Sequence, residues 1–323
     1  MSVAERATAE SVAAPPPPAP PRGSNLQRAE RRLGNALVLP GQLLLLLLVL
    51  FPVAMEVYIS LTAWTPTSGR DWYSAYKFWV WFDNFGDGLT SPSFLSTALR
   101  TVLMTVGAVG VEFVLGFGLA LLFVDKFPGQ RLATVLLLLP MMIVPAVSGF
   151  VFYLLLQTDG PVNTILAAIL PGNAEWQWLS DPSLTPISVV LVDVWQWTPL
   201  MFLILLSGLL AVPEDQLSAA RILGASWWQR MRYVVLPIMK PILIIALIIR
   251  GMEAFKIFDA AWLLTQGGPG EASATISVKL YREAFLNAQW SYVAALAIVV
   301  MIAVSIVASQ AVKPIEKRQA GQA

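Results

Sequence analysis

Charged, amide and indole side chains interrupt two long apolar segments, and these are the residues whose types and spacing suit chemistry. Ionisable groups inside a bilayer are costly unless they are paired or hydrated, so they usually face a helix-bundle interior or a watery cavity. Within each segment the candidates recur at helical spacing and share one face. We therefore predict that they face either the interior of a helix bundle or a watery cavity. The candidates are Asp193, Gln196, Trp197 and Leu200 in the first segment and Arg250, Glu253 and Ile257 in the second.

Two roles remain open for Arg250. Its guanidinium group suits an anionic substituent on a solute, and it equally suits a pair with Glu253 or Asp193 that holds helices together. Lys256 and Asp259 are three residues apart, which predicts a structural ion pair. Two isolated acids, Glu56 and Glu112, are predicted to be helix-contact or interface residues.

The elements that carry these side chains are apolar runs long enough to cross a membrane. The chain has 323 residues, of which 57% are hydrophobic and 13% charged, and about 20 apolar residues span a bilayer as a helix. We therefore predict an all-α membrane protein with six transmembrane helices. The predicted spans are Ala36–Leu61, Leu99–Val124, Leu132–Leu156, Ile187–Val212, Ile238–Leu264 and Ser291–Val312.

The segments outside the spans complete the predicted domain organisation. Residues 1–35 are rich in alanine and proline and predict a disordered tail. Residues 36–312 form the membrane domain, and residues 313–323 form a second tail. The first apolar run is too long for a signal-peptide core, so we expect an uncleaved span. The short run Asn163–Leu170 predicts an interfacial helix or gate element.

Lysine and arginine residues lie mainly on one side of the predicted topology. Both tails, the 125–131 loop and the loop between the fourth and fifth spans contain 14 of them, and the opposite loops contain 4. Positively charged loops remain in the cytoplasm. Both termini and the loop before the fifth span are therefore predicted to be cytoplasmic.

Several function classes are excluded or disfavoured by composition. The chain has no cysteine and no histidine, so it offers no thiolate or imidazole for catalysis or metal binding. A net charge of +1 gives no reason to expect nucleic acid. The chain has no G-x-x-x-x-G-K phosphate loop. We expect no cofactor in this chain, and energy input must come from a partner or an ion gradient.

The polar loop between the fourth and fifth spans has its own local pattern. Pro213 suits the first position of a short helix, and Gly224 suits its end. Ser226 and Gln229 form a capping box for a second short helix. Pro237 is expected to stop that helix. The pattern predicts two short helices over residues 213–237. The alternative interpretation is that this loop is only an amphipathic connector on the membrane surface.

Three groups of residues in this loop resemble the signature loop of bacterial binding-protein-dependent ABC importer permeases. The matching residues are Ser218, Ala219, Ala220, Gly224, Ala225, Leu236, Pro237 and Pro241. Ser218 stands where that family usually has glutamate, and Leu223 where it usually has aspartate. The resemblance implies the type I importer permease fold and a coupling helix that docks on a cytoplasmic ATPase. It also implies a second, homologous permease subunit, an ATPase dimer that binds ATP and Mg, an external solute-binding protein and a membrane-lipid environment.

A second group of residues is similar to the carbohydrate branch of the same family. It comprises Phe258, Asp259, the run Leu264–Pro269, Thr275, Tyr281, Ala284 and Phe285, with a weaker match at Asp83, Asn84 and Phe85. The resemblance implies import of a sugar or sugar derivative, with a cavity at the positions given first above. Import of a non-sugar solute is the alternative. A secondary transporter is disfavoured because such proteins usually have two related halves, and no internal repeat is obvious in this sequence. A membrane enzyme is disfavoured because the chain has no histidine or cysteine and offers only isolated carboxylates.

Overall fold

The computed structural model describes residues 24–169 and 176–320, and this part of the chain is helical, with one isolated antiparallel bridge between Thr62 and Trp79. Short π-helical turns at Leu46–Leu50, Met231–Val235 and Arg282–Leu286 and 3₁₀ segments at Pro66–Ser68 and Trp72–Phe78 accompany the α-helices. The α-helices are α1 (Ser24–Leu45), α2 (Phe51–Ser60), α3 (Asp83–Thr90), α4 (Pro92–Phe123), α5 (Gln130–Met142), α6 (Pro145–Leu155), α7 (Pro161–Ile169), α8 (Thr185–Leu210), α9 (Glu214–Ile222), α10 (Trp227–Arg230), α11 (Leu236–Phe255), α12 (Asp259–Thr265), α13 (Ile276–Tyr281) and α14 (Trp290–Ala320).

Five described helices are long and apolar enough to cross a membrane, and a bent pair supplies the sixth span. The five are Ala36–Ser60, Pro92–Phe123, Thr185–Leu210, Trp227–Thr265 and Trp290–Lys313. These confirm an all-α protein with the predicted order of spans.

A continuous third span was the wrong expectation. Helices α5 and α6 meet at 96°. Val144 is extended (φ −61°, ψ 132°) because the ring of Pro145 disfavours helical geometry in the residue before it.

The chain divides into two units, Met1–Met55 and Glu56–Ala323. In the first unit the described residues form α1, a π-helical turn and the start of α2. Helix α1 begins at Ser24, so it overlaps the tail predicted for residues 1–35, of which residues 1–23 lie outside the described part. Helix α14 likewise runs through residues 313–320. The predicted domain division therefore does not follow helix ends, and it stays a prediction.

In the second unit, α4, α8 and α11 pack closely around an apolar core. Its buried centre includes Phe123, Phe202 and Met239. A Cβ added at Gly116 would lie 2.9 Å from the side chain of Met201 and 3.0 Å from the backbone nitrogen of Phe202. Only glycine permits this approach, which brings the face of α4 that carries Gly116 directly against α8.

The loop between the fourth and fifth spans forms the two predicted short helices, with two corrections. The first helix, α9, begins at Glu214, so Pro213 precedes it. The capping box is confirmed, since Ser226 accepts from the Gln229 amide and the Gln229 side chain accepts from the Ser226 amide. Pro237 does not stop the second helix, because α10 continues through the π-helical turn into α11. A π-helical turn is wider than an α-helical one, and it accommodates a proline that lacks an N–H donor.

Candidate functional site

A buried three-residue charge cluster joins the three core helices of the second unit. Arg250 on α11 donates from Nε and Nη2 to the two carboxylate oxygens of Glu112 on α4, at 2.7 Å each. Its Nη2 also donates to Asp193 on α8 at 2.9 Å. The side chains are 1%, 0% and 6% exposed respectively. We name Arg250, Glu112 and Asp193 the charge triad. The bidentate pair is the geometry in which a guanidinium group binds a carboxylate most strongly.

The neighbouring polar side chains of α8 also have internal partners. The guanidinium carbon of Arg250 lies 5.3 Å from the ring centroid of Trp197, within cation–π range. The Gln196 side chain donates to the carbonyl of Ile143 at 2.7 Å, and Ile143 lies at the bend between α5 and α6. Leu200 is half-buried one turn beyond Gln196. In this conformation, Asp193, Gln196 and Trp197 bind other parts of the protein.

Two residues from the fifth apolar segment do not join this group. Glu253 is 55% exposed and pairs with Lys256 at 3.0 Å, so the predicted pairing of Lys256 with Asp259 is wrong. Ile257 lies beyond the end of α11 and packs in a different apolar cluster. The face predicted to continue from Arg250 is interrupted because α11 ends at Phe255.

Sequence reasoning missed Glu112 as a partner of Arg250. The signal was present, because Glu112 is the one acidic residue of the 32-residue helix α4 and needs a counter-charge inside a membrane. Its expected role as a helix-contact residue fits the structure, although it is paired rather than isolated. The sequence analysis offered Glu253 and Asp193 as partners of Arg250. In the structure Arg250 pairs with Asp193 and Glu112, and it does not pair with Glu253.

The loop of α9 and α10 presents a large apolar surface. Ile222 and Leu223 are each 86% exposed, and Trp228 is 74% exposed. A Schellman motif shapes the turn between the helices: Ala225 N–H donates to Ala220 C=O, and Gly224 N–H donates to Arg221 C=O. Gly224 has φ +79°, the left-handed geometry expected of it.

The eight predicted coupling-loop residues occupy three consecutive parts of this loop. Ser218, Ala219 and Ala220 lie on α9, of which Ala219 is exposed and the other two are half-buried. Leu223, Gly224 and Ala225 form the turn. Leu236 and Pro237 begin α11. Leu223 is one of the most exposed apolar side chains of the loop.

Several polar side chains outside the α9–α10 loop have structural partners. The Asn84 side chain donates to the carbonyls of Ser60 and Thr62 at 2.7 and 2.8 Å, which satisfies the end of α2. Thr275 caps α13 and donates to the carbonyl of Ile257 at 2.9 Å. Hydrogen bonds from the Ser183 hydroxyl and backbone amide lower the pKa of the Asp181 carboxyl ahead of α8.

None of the seven predicted cavity residues lines either of two prominent cavities of the described residues. One is an apolar groove between α4, α11 and α14. The other is polar and lies at the ends of α6 and α12. Among residues 24–169 and 176–320, no group of three acidic side chains is arranged to hold a metal ion.

The helices and the exposed loop define a multi-pass membrane protein, and comparison with known proteins identifies its class. Residues 112–320 match the model of the family described as binding-protein-dependent transport system inner membrane component. The chain belongs to this family, whose members are permease subunits of ABC importers rather than enzymes.

Two curated relatives and one solved structure illustrate the similarity. The trehalose/maltose transport system permease protein MalF of Thermococcus litoralis is 33% identical over 257 residues, covering 79% of this chain and 84% of the relative. The trehalose transport system permease protein SugA of Mycobacterium tuberculosis is 34% identical over 248 residues, covering 77% of this chain and 78% of the relative. A chain of a bacterial alginate ABC transporter, solved with an alginate pentasaccharide-bound periplasmic protein, superposes with a TM-score of 0.75 at 20% identity, covering 90% of this chain and 97% of that one. That structure supports the fold.

Proposed function

We propose that this chain is one permease subunit of an ATP-driven importer for a sugar or sugar derivative that an external solute-binding protein delivers. The end of α9 carries the proposal, because its exposed side chains Ile222 and Leu223 form an apolar surface outside the spans, and such a surface needs a partner. The trehalose and maltose permeases among its relatives support a sugar as the solute.

The proposed complex contains a second, homologous permease subunit and a dimer of cytoplasmic ATPases. The turn formed by Leu223, Gly224 and Ala225 docks on one ATPase, with Ile222 filling an apolar part of the contact. The Schellman motif and the capping box fix the two short helices at this turn. A rigid connection is needed because the ATPase must pass its movement to α8 and α11, which flank the loop.

The proposed mechanism is alternating access. Closure of the ATPases on ATP favours an outward-open arrangement of the spans, which accepts the solute, and hydrolysis restores the inward-open one. ATP shifts this equilibrium only if the ATPase dimer binds the two arrangements with different affinity. We propose that the charge triad holds α4, α8 and α11 together through this cycle. In this mechanism α8 must separate from the residues that it contacts in this conformation. Only then do its side chains Trp197, Gln196 and Leu200 face the solute path.

Reconstituted transport tests the proposed function. Proteoliposomes that contain the complete complex should accumulate radiolabelled trehalose or maltose when ATP is enclosed and the loaded binding protein is added outside. Omission of either ATP or the binding protein should abolish accumulation. Uptake driven by an ion gradient without ATP would identify a secondary transporter, and ATP-dependent uptake of non-sugar solutes alone would contradict the proposed substrate class.

The proposed orientation predicts the labelling of single cysteines. The chain has no cysteine of its own, so each introduced thiol on this subunit reports one position. We expect a membrane-impermeant maleimide to reach Gly129→Cys and Ser226→Cys only from the cytoplasmic side, and Ser74→Cys and Gln177→Cys only from outside. The asymmetry of lysine and arginine residues is the physical reason. Ala174, three residues before Gln177, is also expected to be labelled only from outside, but it lies outside the described residues. Labelling of Ser226→Cys from outside would contradict the coupling-loop assignment.

A further inference from the structure

A polar cavity of about 630 Å³ lies where α6 and α12 end, on the side of the protein proposed to be external. Its lining includes Gln157 and Asp159 after α6, Ser180 before α8, and Gln266 after α12. Tyr153 on α6 contributes the aromatic part of the wall. The cavity contains no residue of the charge triad, and it opens at the outer end of two spans.

The polar groups of this cavity are available to a ligand. The side chains of Gln157, Asp159 and Gln266 make no hydrogen bond to any other residue in the described ranges 24–169 and 176–320. Two primary amides and a carboxylate provide both donors and acceptors in one cavity. This is the combination that neighbouring hydroxyl groups require, since each hydroxyl both donates and accepts.

One wall of the cavity is held in place by a buried asparagine. Asn163, 6% exposed, donates to the carbonyls of Thr158 and Trp176 at 2.9 and 2.8 Å and accepts from the Trp178 ring nitrogen at 2.9 Å. Gly160 closes the same turn, where a Cβ would lie 2.6 Å from the carbonyl oxygen of Leu155. The turn that carries Gln157 and Asp159 is therefore fixed rather than adaptable, which reduces the entropy lost on ligand binding.

The opposite wall presents Gln266 from an unusual backbone geometry. Gln266 has φ +52° and ends α12 at a position where glycine is the unstrained choice. Gly267, with φ +85°, follows directly. Backbone strain of this kind persists where the surroundings impose it and often occurs at functional sites. A glutamine at this position directs an amide group toward the cavity, and a glycine could not supply that group.

We propose that this cavity is an outer sugar-binding subsite, which receives the sugar from the binding protein before it enters the spans. The inference rests on the proposed function. A polyhydroxyl ligand fits better than the other classes, because the lining is too polar for an acyl chain. One carboxylate is also too few for a dedicated cation site. The amides of Gln157 and Gln266 bind sugar hydroxyls, and the Tyr153 ring packs against a sugar face.

Thiol protection in the assembled complex tests the subsite directly. In a Ser180→Cys subunit, trehalose at twice its Kd should slow maleimide labelling about threefold, because labelling requires the free site. Ser183→Cys is the matched control in the same loop, outside the cavity lining, and should be unaffected. Glycine betaine at equal concentration controls for osmotic effects.

Two further variants connect protection to the proposed ligand groups. Gln266→Gly removes an amide and relieves backbone strain, so the protein should remain folded while trehalose affinity falls about tenfold and protection nearly disappears. Gln157→Ala should act in the same direction. Gln289→Ala removes an exposed glutamine outside the cavity and should retain full protection.

The results separate failure of the subsite from failure of the proposed function. Trehalose uptake by the complex without any protection of Ser180→Cys overturns the subsite alone. Protection without uptake of any tested sugar supports the subsite and contradicts sugar import. Protection by the sugar-free binding protein, with none by trehalose, would show that a polypeptide occupies the cavity and would overturn the proposal.

Discussion

Arg250→Gln is expected to remove most of the folded permease from the membrane. The substitution leaves Glu112 and Asp193 buried at the junction of α4, α8 and α11 without their counter-charge. Removal of one partner of a buried ion pair lowers the free energy of unfolding by about 3–5 kcal/mol. The total free energy of unfolding of a typical protein is about 5–15 kcal/mol. We expect the amount of complex extracted in mild detergent to fall at least about tenfold, with a clear drop in the thermal midpoint of what remains.

Two other variants show whether charge balance is the cause. The triple variant E112Q/D193N/R250Q replaces the charge triad by neutral amides of similar size and should recover much of the lost complex, since no isolated charge stays buried. Glu253→Gln breaks the exposed pair with Lys256 and should change little, because such pairs contribute about 0–1 kcal/mol. A stable R250Q complex that fails only with an anionic sugar would support direct solute binding by Arg250 instead.

Gly224→Asp is expected to abolish coupling while leaving the membrane domain intact. Gly224 has φ +79°, and nothing in the described structure lies within 4 Å of the Cβ that a substitution adds. Aspartate tolerates the left-handed region better than most residues, so the cost within this chain is small. A charge beside the exposed side chains of Ile222 and Leu223 opposes docking of an apolar partner surface. Uptake should fall at least about tenfold, which corresponds to about 1.4 kcal/mol.

The chain offers matched controls for this substitution. Gly224→Asn has nearly the same shape without the charge, so retained uptake in that variant assigns the loss to charge and lost uptake assigns it to bulk. Gly69→Asp places the same residue at another exposed glycine with φ +67°, in the segment after α2, and should be tolerated. Ser218→Glu introduces the acid that the resemblance to importer permeases predicts at this position, and it should also be tolerated.

Association with the ATPase, binding-protein-stimulated hydrolysis and uptake should be measured together on the reconstituted complex. Weak association or hydrolysis without uptake is the expected result for Gly224→Asp. Normal values for all three would show that the α9–α10 loop is only a surface connector.

Much of the fold followed from the sequence because the signals are local. Bilayer thickness sets the length of each apolar run, so six spans could be placed without knowing what they contact. The α9–α10 turn was equally accessible, because Gly224, Ser226 and Gln229 act on backbone groups within a few residues of themselves. The prolines were less informative. Pro145 bends the third span and Pro237 interrupts nothing, although a proline suggests a break at both places.

The charge triad was decided only by the tertiary structure. Arg250 is 138 residues from Glu112 and 57 from Asp193, so no local spacing relates them. The sequence offered both Glu253 and Asp193 as partners of Arg250, and of these two only Asp193 pairs with it, since the Glu253 side chain is exposed. Gly116, one turn from Glu112, lets α4 approach α8 closely. The sequence by itself determined which segments are long and apolar enough to cross the membrane, and where the loop between the fourth and fifth spans turns. Only packing decided which charges neutralise one another, since pairing inside a membrane depends on which helix faces meet.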